Sequence, residues 1–248
     1  ISSRYLFLVM QSLGEHIKES AQGIGVTGVT RDFIKQLEIP LPPIEAQQQI
    51  VDELEGYQKV IDGCRQVVEN YIPFVDTNSD WDTVDFNESC KVITPTSKIQ
   101  SNQFLENGKF PIIDQAKNKI AGYWNNHEDV TEVSVPITMF GDHTRIVKYI
   151  ETDFVAGADG TKLLSPNETL FLPKFFFYMI GSIEITSLGY SRHFKELKEK
   201  KIPCPPLETQ QEIVSKLDRQ SELVDGNLEL IEIFSQKIEN RISKVWGE

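Results

Sequence analysis

Cysteine is scarce in this chain. Cys64, Cys90 and Cys204 are an odd number with neither disulfide nor metal-ligand spacing. They read as small buried thiols of a reducing, cytoplasmic setting rather than a disulfide framework. Long apolar runs are absent too: the most apolar stretch, Phe171 to Ile185, is interrupted by Pro173, Lys174 and Gly181, short of the roughly 18 residues a membrane span needs. No membrane partner is expected. No secretory leader pattern is present, and the sequence starts at Ile1 inside an amphipathic stretch, so a fragment of a longer polypeptide is expected. The glycosylation-type triplets Asn87-Glu-Ser89 and Asn167-Glu-Thr169 are then coincidental.

Positive charge is also in deficit, with a net charge of −12. Phosphate contacts need cations, so the balance argues against nucleic-acid binding by the chain as a whole. The distribution softens this. Residues 36–75 carry 2 basic and 7 acidic side chains and residues 206–248 carry 5 and 9, whereas residues 76–205 carry 14 and 18. In that middle block the Lys and Arg cluster near presumed loops, so one face can still meet DNA, with a partner supplying further cations.

Catalytic patterns are missing as well. His16, His127, His143 and His193 lack zinc spacing, and no Gly-Lys-Ser/Thr phosphate loop occurs. Gly23-Ile-Gly25-Val-Thr-Gly28 spells the dinucleotide pattern, but a helical pattern precedes it and a strand-like one follows, the reverse of what that site requires. Asp76, Asn78 and Asp80 have calcium-loop spacing, yet Trp81 replaces the required Gly and Asn87 the bidentate Glu. Glu196-Leu-Lys198 has the acidic-x-Lys form of metal-dependent nucleases without a companion core Asp. Neither Pro-Pro pair has the preceding Asn or Asp and following aromatic of amino-methyltransferases. The expectation is a binding module: not an enzyme, no catalytic residue, no metal, no cofactor.

What the chain does have is a segment that occurs twice. Ile39-Pro-Leu-Pro-Pro-Ile-Glu-Ala-Gln-Gln-Gln-Ile-Val51 returns as Ile202-Pro-Cys-Pro-Pro-Leu-Glu-Thr-Gln-Gln-Glu-Ile-Val214, an offset of 163 residues that holds through Ile61-Asp62-Gly63 and Val224-Asp225-Gly226. Proline suits a first helical turn, and Glu45 and Glu208 then sit where the helix dipole favours negative charge. Ile50, Leu54, Tyr57, Ile61, Cys64, Val68 and Tyr71 form a heptad seam. Ile213, Leu217, Gln220, Val224, Asn227, Ile231, Phe234, Ile238 and Val245 form its counterpart, with Gln220 and Asn227 as register-setting polar positions. At 1.5 Å per residue, helices over 44–71 and 207–245 would span roughly 42 and 58 Å. Each has one narrow stripe, so the simplest arrangement pairs them as an antiparallel coiled coil; two ordinary amphipathic helices of a globular core are the plainer alternative.

Between them, Asp76-Thr-Asn-Ser-Asp80 is a polar linker and Trp81 opens a domain of short β-type runs: Phe110 to Ile113, Val133 to Phe140, Thr144 to Ile150, Asp153 to Ala156 and Thr161 to Leu164. An aromatic-rich helix follows at Lys174 to Ile183, then a polar loop, Leu188 to His193, and a basic stretch, Lys195 to Lys201. Tyr5 to Leu13 echoes Phe175 to Ile183, and Arg31-Asp-Phe33 echoes Arg192-His-Phe194. The fold class is α+β: one mixed α/β domain (76–205) flanked by two long helices (36–75 and 206–248), with 1–35 as the remnant of a preceding copy.

The doubled Ile-Pro-x-Pro-Pro-Ile/Leu-Glu-x-Gln-Gln-x-Ile-Val before a heptad helix resembles the specificity subunit of Type I restriction-modification systems. The likeness extends through Trp81-Asp-Thr-Val84, Phe110-Pro-Ile-Ile-Asp114, Gly141-Asp-His-Thr144, Gly157-Ala-Asp-Gly160, Lys162-Leu-Leu164 and Ser191-Arg-His-Phe194, over essentially the whole chain. The resemblance implies a target-recognition domain reading one half of a split double-stranded DNA sequence. It also implies helices that dock methyltransferase (modification) subunits and, through them, a restriction subunit. Most of a first recognition domain is missing. Similar modules are fused behind adenine-methyltransferase domains, so a fused enzyme is an alternative, as is a coiled-coil scaffold that binds no DNA; a homodimer is left open.

Under that resemblance, the loops offer side chains for base edges and phosphates. The candidates are Lys98, Gln100 and Asn102; Lys117, Asn118 and Lys119 with Tyr123; His143, Thr144 and Arg145; and Ser191, Arg192, His193 and Lys195. Arg145 and Arg192 are the foremost contacts, Lys98, Lys117 and Lys119 the phosphate candidates. Asp114 and Asp159 more readily shape turns than meet DNA, and for Asp142 and His143 an internally packed turn is an equal alternative.

Overall fold

The computed structural model describes residues 1–19, 28–158, 160–186 and 192–247. The chain divides into two compact units, one of Ile1–Tyr71 with Glu222–Glu248 and one of Ile72–Ser221. In chain order the first unit holds α1 (Ser3–Ser12), α2 (Gly14–Glu19), α3 (Arg31–Gln36) and α4 (Ile44–Asn70). The second holds β1 (Thr83–Asp85), α5 (Phe86–Ser89), β2 (Cys90–Ile93), β3 (Lys98–Ile99), β4 (Phe110–Ile113), β5 (Gly122–Trp124), β6 (Ile137–Gly141), β7 (Val147–Ile150), β8 (Val155–Gly157), β9 (Thr161–Pro166), α6 (Pro173–Ser182), α7 (Phe194–Lys198) and β10 (Lys201–Pro203). The last helix, α8 (Leu207–Trp246), contributes its start to the second unit and its end to the first.

The expected pairing of the long helices is present in the first unit, and it is antiparallel. Glu53 meets Arg241 at 2.7 Å, and one turn further along α4 Tyr57 meets Phe234, ring centroids 5.5 Å apart. Ile50, Leu54, Ile61 and Cys64 of the seam are buried. Within the first unit the α8 seam positions Val224, Asn227, Ile231, Phe234 and Ile238 are at least half-buried, as heptad spacing requires.

The repeat is copied in packing as well as in letters. Gln47, 3% exposed, donates to the Pro42 carbonyl at 2.7 Å and accepts from the Ser2 N–H at 2.9 Å. Its equivalent Gln210, 0% exposed, donates to the carbonyls of Pro205 and Leu170 at 2.8 and 2.7 Å and accepts from the Leu172 N–H at 2.8 Å. Each glutamine thus closes the proline turn beneath its helix and holds the start of a shorter helix, α1 or α6. Tyr5 and Val9 of α1 then pack on Ile50, Val51 and Leu54, as Phe175 and Met179 of α6 pack with Val214 and Leu217. An ion pair repeats too: Arg4 with Glu55 at 3.0 Å, Lys174 with Asp218 at 2.8 Å.

Three sheets build the second unit among the described residues. β1 and β10 form an antiparallel pair, β2-β9-β6-β7 an antiparallel sheet, and β3-β8-β4-β5 a sheet in which β3, β8 and β4 are parallel. Alternation along β6 explains its burial on both faces. Ile137 and Met139 join Ile113, Phe154 and Leu163 in one core. Phe140 joins the other, with Phe171, Phe175, Phe176 and Leu197. Each such side chain contributes about 1.5–3 kcal/mol of burial. Burial also pushes the Cys90 thiol up to about 11, so it stays a neutral packing group.

The strands are shorter than the apolar runs suggested. Val133 to Ser134 lies outside β6, and 142–145 is a turn before β7. β1, β2, β3, β5 and β10 had no expected counterpart, since strands of two to four residues carry too little alternation to be recognised. No helix among the described residues is long and apolar enough to cross a membrane.

Candidate nucleic-acid interface

Because β3, β8 and β4 run parallel, their carboxyl ends at Ile99, Gly157 and Ile113 share one edge, held there by Ala158 N–H donating to the Ile99 carbonyl at 2.7 Å. Gln100 and Asp114 follow immediately. The β6–β7 turn reaches the same place, since Gly141 pairs with Thr161 at the start of β9. Asp142 N–H then donates to the Gly160 carbonyl at 2.6 Å.

Gln115 ties these loops together. Its Oε1 accepts from His143 N–H at 3.1 Å and its backbone carbonyl from Thr144 Oγ1 at 2.8 Å. Glycines permit the approach. A Cβ on Gly141 would lie 2.3 Å from Thr144 Oγ1, on Gly157 2.6 Å from Asp114 Cβ, and on Gly160 2.5 Å from Gln115 Nε2, with φ +69 besides. Asp142, 4% exposed, receives the N–H of His193 on its carbonyl and of Phe194 on Oδ1, both at 2.9 Å. The start of α7 is thereby drawn to the same turn.

Of the candidate contacts, Gln100, Asn102, Lys117, Asn118, Lys119, Thr144, Arg145, Arg192 and Lys195 are exposed on these converging segments. Lys98 is exposed on β3 beside them. Arg145 has φ 60, sparsely populated for a residue with a Cβ, and its Nη1 donates to the Ile185 carbonyl at 3.0 Å. His143 is half-buried. Tyr123 lies away from the cluster, half-buried on β5 opposite Pro111. His193 is 2% exposed, so it is withdrawn as a contact: its backbone anchors the turn and its ring is shut from solvent. Ser191 and Asp159 lie outside the described residues, as do residues 23–27 of the glycine-rich segment.

Sequence reading missed Gln115, which belongs to no recognised pattern, and two lysines. Lys148, 8% exposed, donates to the Asn118 carbonyl and lies 3.8 Å from Asp114. Burial pulls its amine below the usual lysine range while Asp114 pushes back. Lys174 lies over the Tyr149 ring at 5.9 Å. Glu196, of the acidic-x-Lys triplet, accepts from Thr186 N–H at 3.0 Å, which with Lys200 holds its carboxyl below the ordinary range. Among the described residues no cluster of His, Cys, Asp and Glu could hold a metal ion.

Known proteins converge on one family. The family described as Type I restriction modification DNA specificity domain matches residues 1–69 and 78–239. The Type I restriction enzyme EcoR124I/EcoR124II specificity subunit of Escherichia coli is 26% identical over 135 residues, covering 49% of this chain and 33% of that protein. The chain therefore spans about a third of that relative's length. The crystal structure of the Type I restriction-modification S subunit from M. genitalium matches 99% of this chain and 72% of its own, at TM-score 0.56 and 17% identity. A structure described in terms of complex assembly and conformational transition of the type I R-M system matches 97% and 70%, at TM-score 0.59 and 19% identity. These last two likenesses establish a shared fold, and the family match covers most of the sequence: the chain belongs to the Type I restriction-modification DNA specificity family.

Proposed function

We propose that residues 76–205 form a target-recognition domain that reads one half of a bipartite duplex, and that the chain acts without catalysis of its own. The observation that carries this reading is the convergence of Gln100, Asn102, Thr144, Arg145 and Arg192 at one end of two sheets, on loops held by Gln115 and Asp142. Asn and Gln match adenine edges and Arg matches guanine. Loops held on a rigid sheet end suit such reading, because little ordering remains to be done on binding.

Docking of methyltransferase subunits, and through them a restriction subunit, is assigned to the long helices. A second stripe beside the seam supports it. Val60, Gly63 and Val67 of α4 correspond, at the repeat offset, to Leu223, Gly226 and Leu230 of α8. Leu223 is 66% exposed, Val67 46% and Leu230 40%. Gly63 and Gly226 face open space where a Cβ would stand. Mid-helix glycine costs about 0.5–1 kcal/mol, and nothing inside this unit uses the room. A closely approaching outside helix would.

Residues 1–35 are read as the end of a second such domain. Phe7, 66% exposed on α1, stands where α6 has Phe177, which packs on Tyr149 of β7 at 5.6 Å. The recess around Phe7, Leu8, Gln11 and Leu54, about 780 Å³, is the face that a sheet like β6–β7 would cover.

The experiment is selection from a random duplex pool by the chain assembled with an adenine-methyltransferase subunit of its own system, at low and high salt. Enrichment of a short motif supports the reading. Assembly with no enrichment favours a scaffold, and failure to assemble removes the docking role.

A further inference from the structure

We propose that the groove between β7 and the loop carrying Lys117 and Lys119 seats the phosphodiester backbone beside the bases read at the loop end; this rests on the DNA-reading function proposed above. The groove encloses about 540 Å³. Lys117, Lys119, Lys148 and Lys174 line it from three separate elements, with Glu151 the acidic residue on its wall. Even with Asp114 and Asp218 set against Lys148 and Lys174, the groove keeps a small surplus of positive charge in a chain of net charge −12.

The four amines are not equivalent. Lys174 is held by Asp218 at 2.8 Å, the ion pair that recurs as Arg4–Glu55 and belongs to the helix joint. Lys148 is buried against the Asn118 carbonyl and Asp114, so it is a positioning residue: it pins the backbone between Lys117 and Lys119. Those two are exposed and carry the charge that meets the ligand. Burial lowers the Lys148 amine, and a nearby phosphate would favour its protonated form.

The lining also selects the part of DNA it would take. Lysine donates from a compact point charge and has no acceptor. The floor is Tyr149 and Phe177. Phe177 offers no hydrogen bond and Tyr149 a single hydroxyl, not the adjacent donor and acceptor that read a base edge bidentately. Amines over an apolar floor suit phosphate and deoxyribose, contacts that set register without reading sequence.

The test is the salt dependence of binding by the full chain assembled with its methyltransferase subunits, using a labelled random-sequence duplex. Lys117→Gln with Lys119→Gln should lower the slope of log affinity against log salt by roughly 1.8, at about 0.9 per phosphate contact. Over a fourfold rise in salt, the parent would then lose roughly twelve-fold more affinity than the variant. The selected motif should stay the same. Lys148→Met should reproduce the slope change if it folds; if it does not, the double variant decides alone. An unchanged slope overturns the proposal, as does a changed motif at constant slope, which would make these lysines base readers. A parent complex that selects no motif sinks the DNA-reading function instead, and the slope comparison still decides whether the groove meets phosphate.

Discussion

The sharpest test of the fold is Gln210→Met. Methionine keeps the length and volume of glutamine and removes its amide. The side chain is 0% exposed and makes three hydrogen bonds, to Pro205, Leu170 and Leu172. Each bond contributes about 0.5–1.5 kcal/mol net, and more where a partner stays buried and unsatisfied. The expected loss is about 2–4 kcal/mol. At roughly 3 °C per kcal/mol for a domain of this size, the second unit should melt about 6–12 °C lower. Gln47→Met is the internal control: it removes two bonds at the equivalent position and should cost less, in the other unit. Urea unfolding gives both magnitudes, and amide exchange at Leu172 tests the mechanism, since its protection should fall first. A Gln210→Met protein within about 0.5 kcal/mol of the parent, or one less affected than Gln47→Met, would refute the argument that these glutamines lock the joints.

Other outcomes follow from the same geometry. Gly160→Ala forces a Cβ into the left-handed region and against Gln115; it should cost about 1–3 kcal/mol by chemical denaturation. Gly226→Ala, in open helix, should instead gain about 0.5–1 kcal/mol while weakening capture of a methyltransferase subunit. Hydrogen bonds from Arg241 and Tyr57 hold the Glu53 carboxyl below the usual carboxylate range. A depressed acid stabilises the fold above its unfolded pKa and stops doing so as pH falls through the folded one. Glu53→Gln should therefore flatten the loss of helix pairing as pH falls through the acid range, and cost only about 0.2–1 kcal/mol near neutrality because the pair is partly exposed. Arg192→Ala should weaken DNA binding by about 1–3 kcal/mol and relax one position of the target; unchanged affinity and preference would remove Arg192 from the interface.

The helices were legible because their signal is long. Seam residues from Ile50 to Tyr71 and from Ile213 to Ile238 repeat often enough for the heptad to stand out, and their pairing followed from each stripe needing cover. The central domain was legible only where strands were apolar, as at Phe110–Ile113 and Thr161–Pro166. β3 and β5 are two and three residues long; β3 is set by pairing with the distant β8, which no local pattern records, and β5, although it pairs with the preceding strand β4, is too short to show alternation. The candidate loops fell into place for a similar reason. Gly141, Gly157 and Gly160 stood out in the sequence within the segments that carry the family resemblance, but that they crowd Gln115 and Asp114 is a fact of tertiary contact. His193 misled because a histidine between Arg192 and Phe194 looks like a surface residue until Asp142 is seen to draw it inward.

The duplicated glutamine joint makes the chain divisible in a particular way. Cut after Ile50 and rejoin at Val214, and the positions beyond the cut that faced α1 receive their own counterparts, Val51 becoming Val214 and Leu54 becoming Leu217, while the seam residue Ile61 becomes Val224. The proline turn, the glutamine and the short helix above them would stay intact, and the helix would run on in phase. A block of 163 residues could thus be lost, doubled or exchanged for a different one by a single crossover, with no new interface to evolve at the splice.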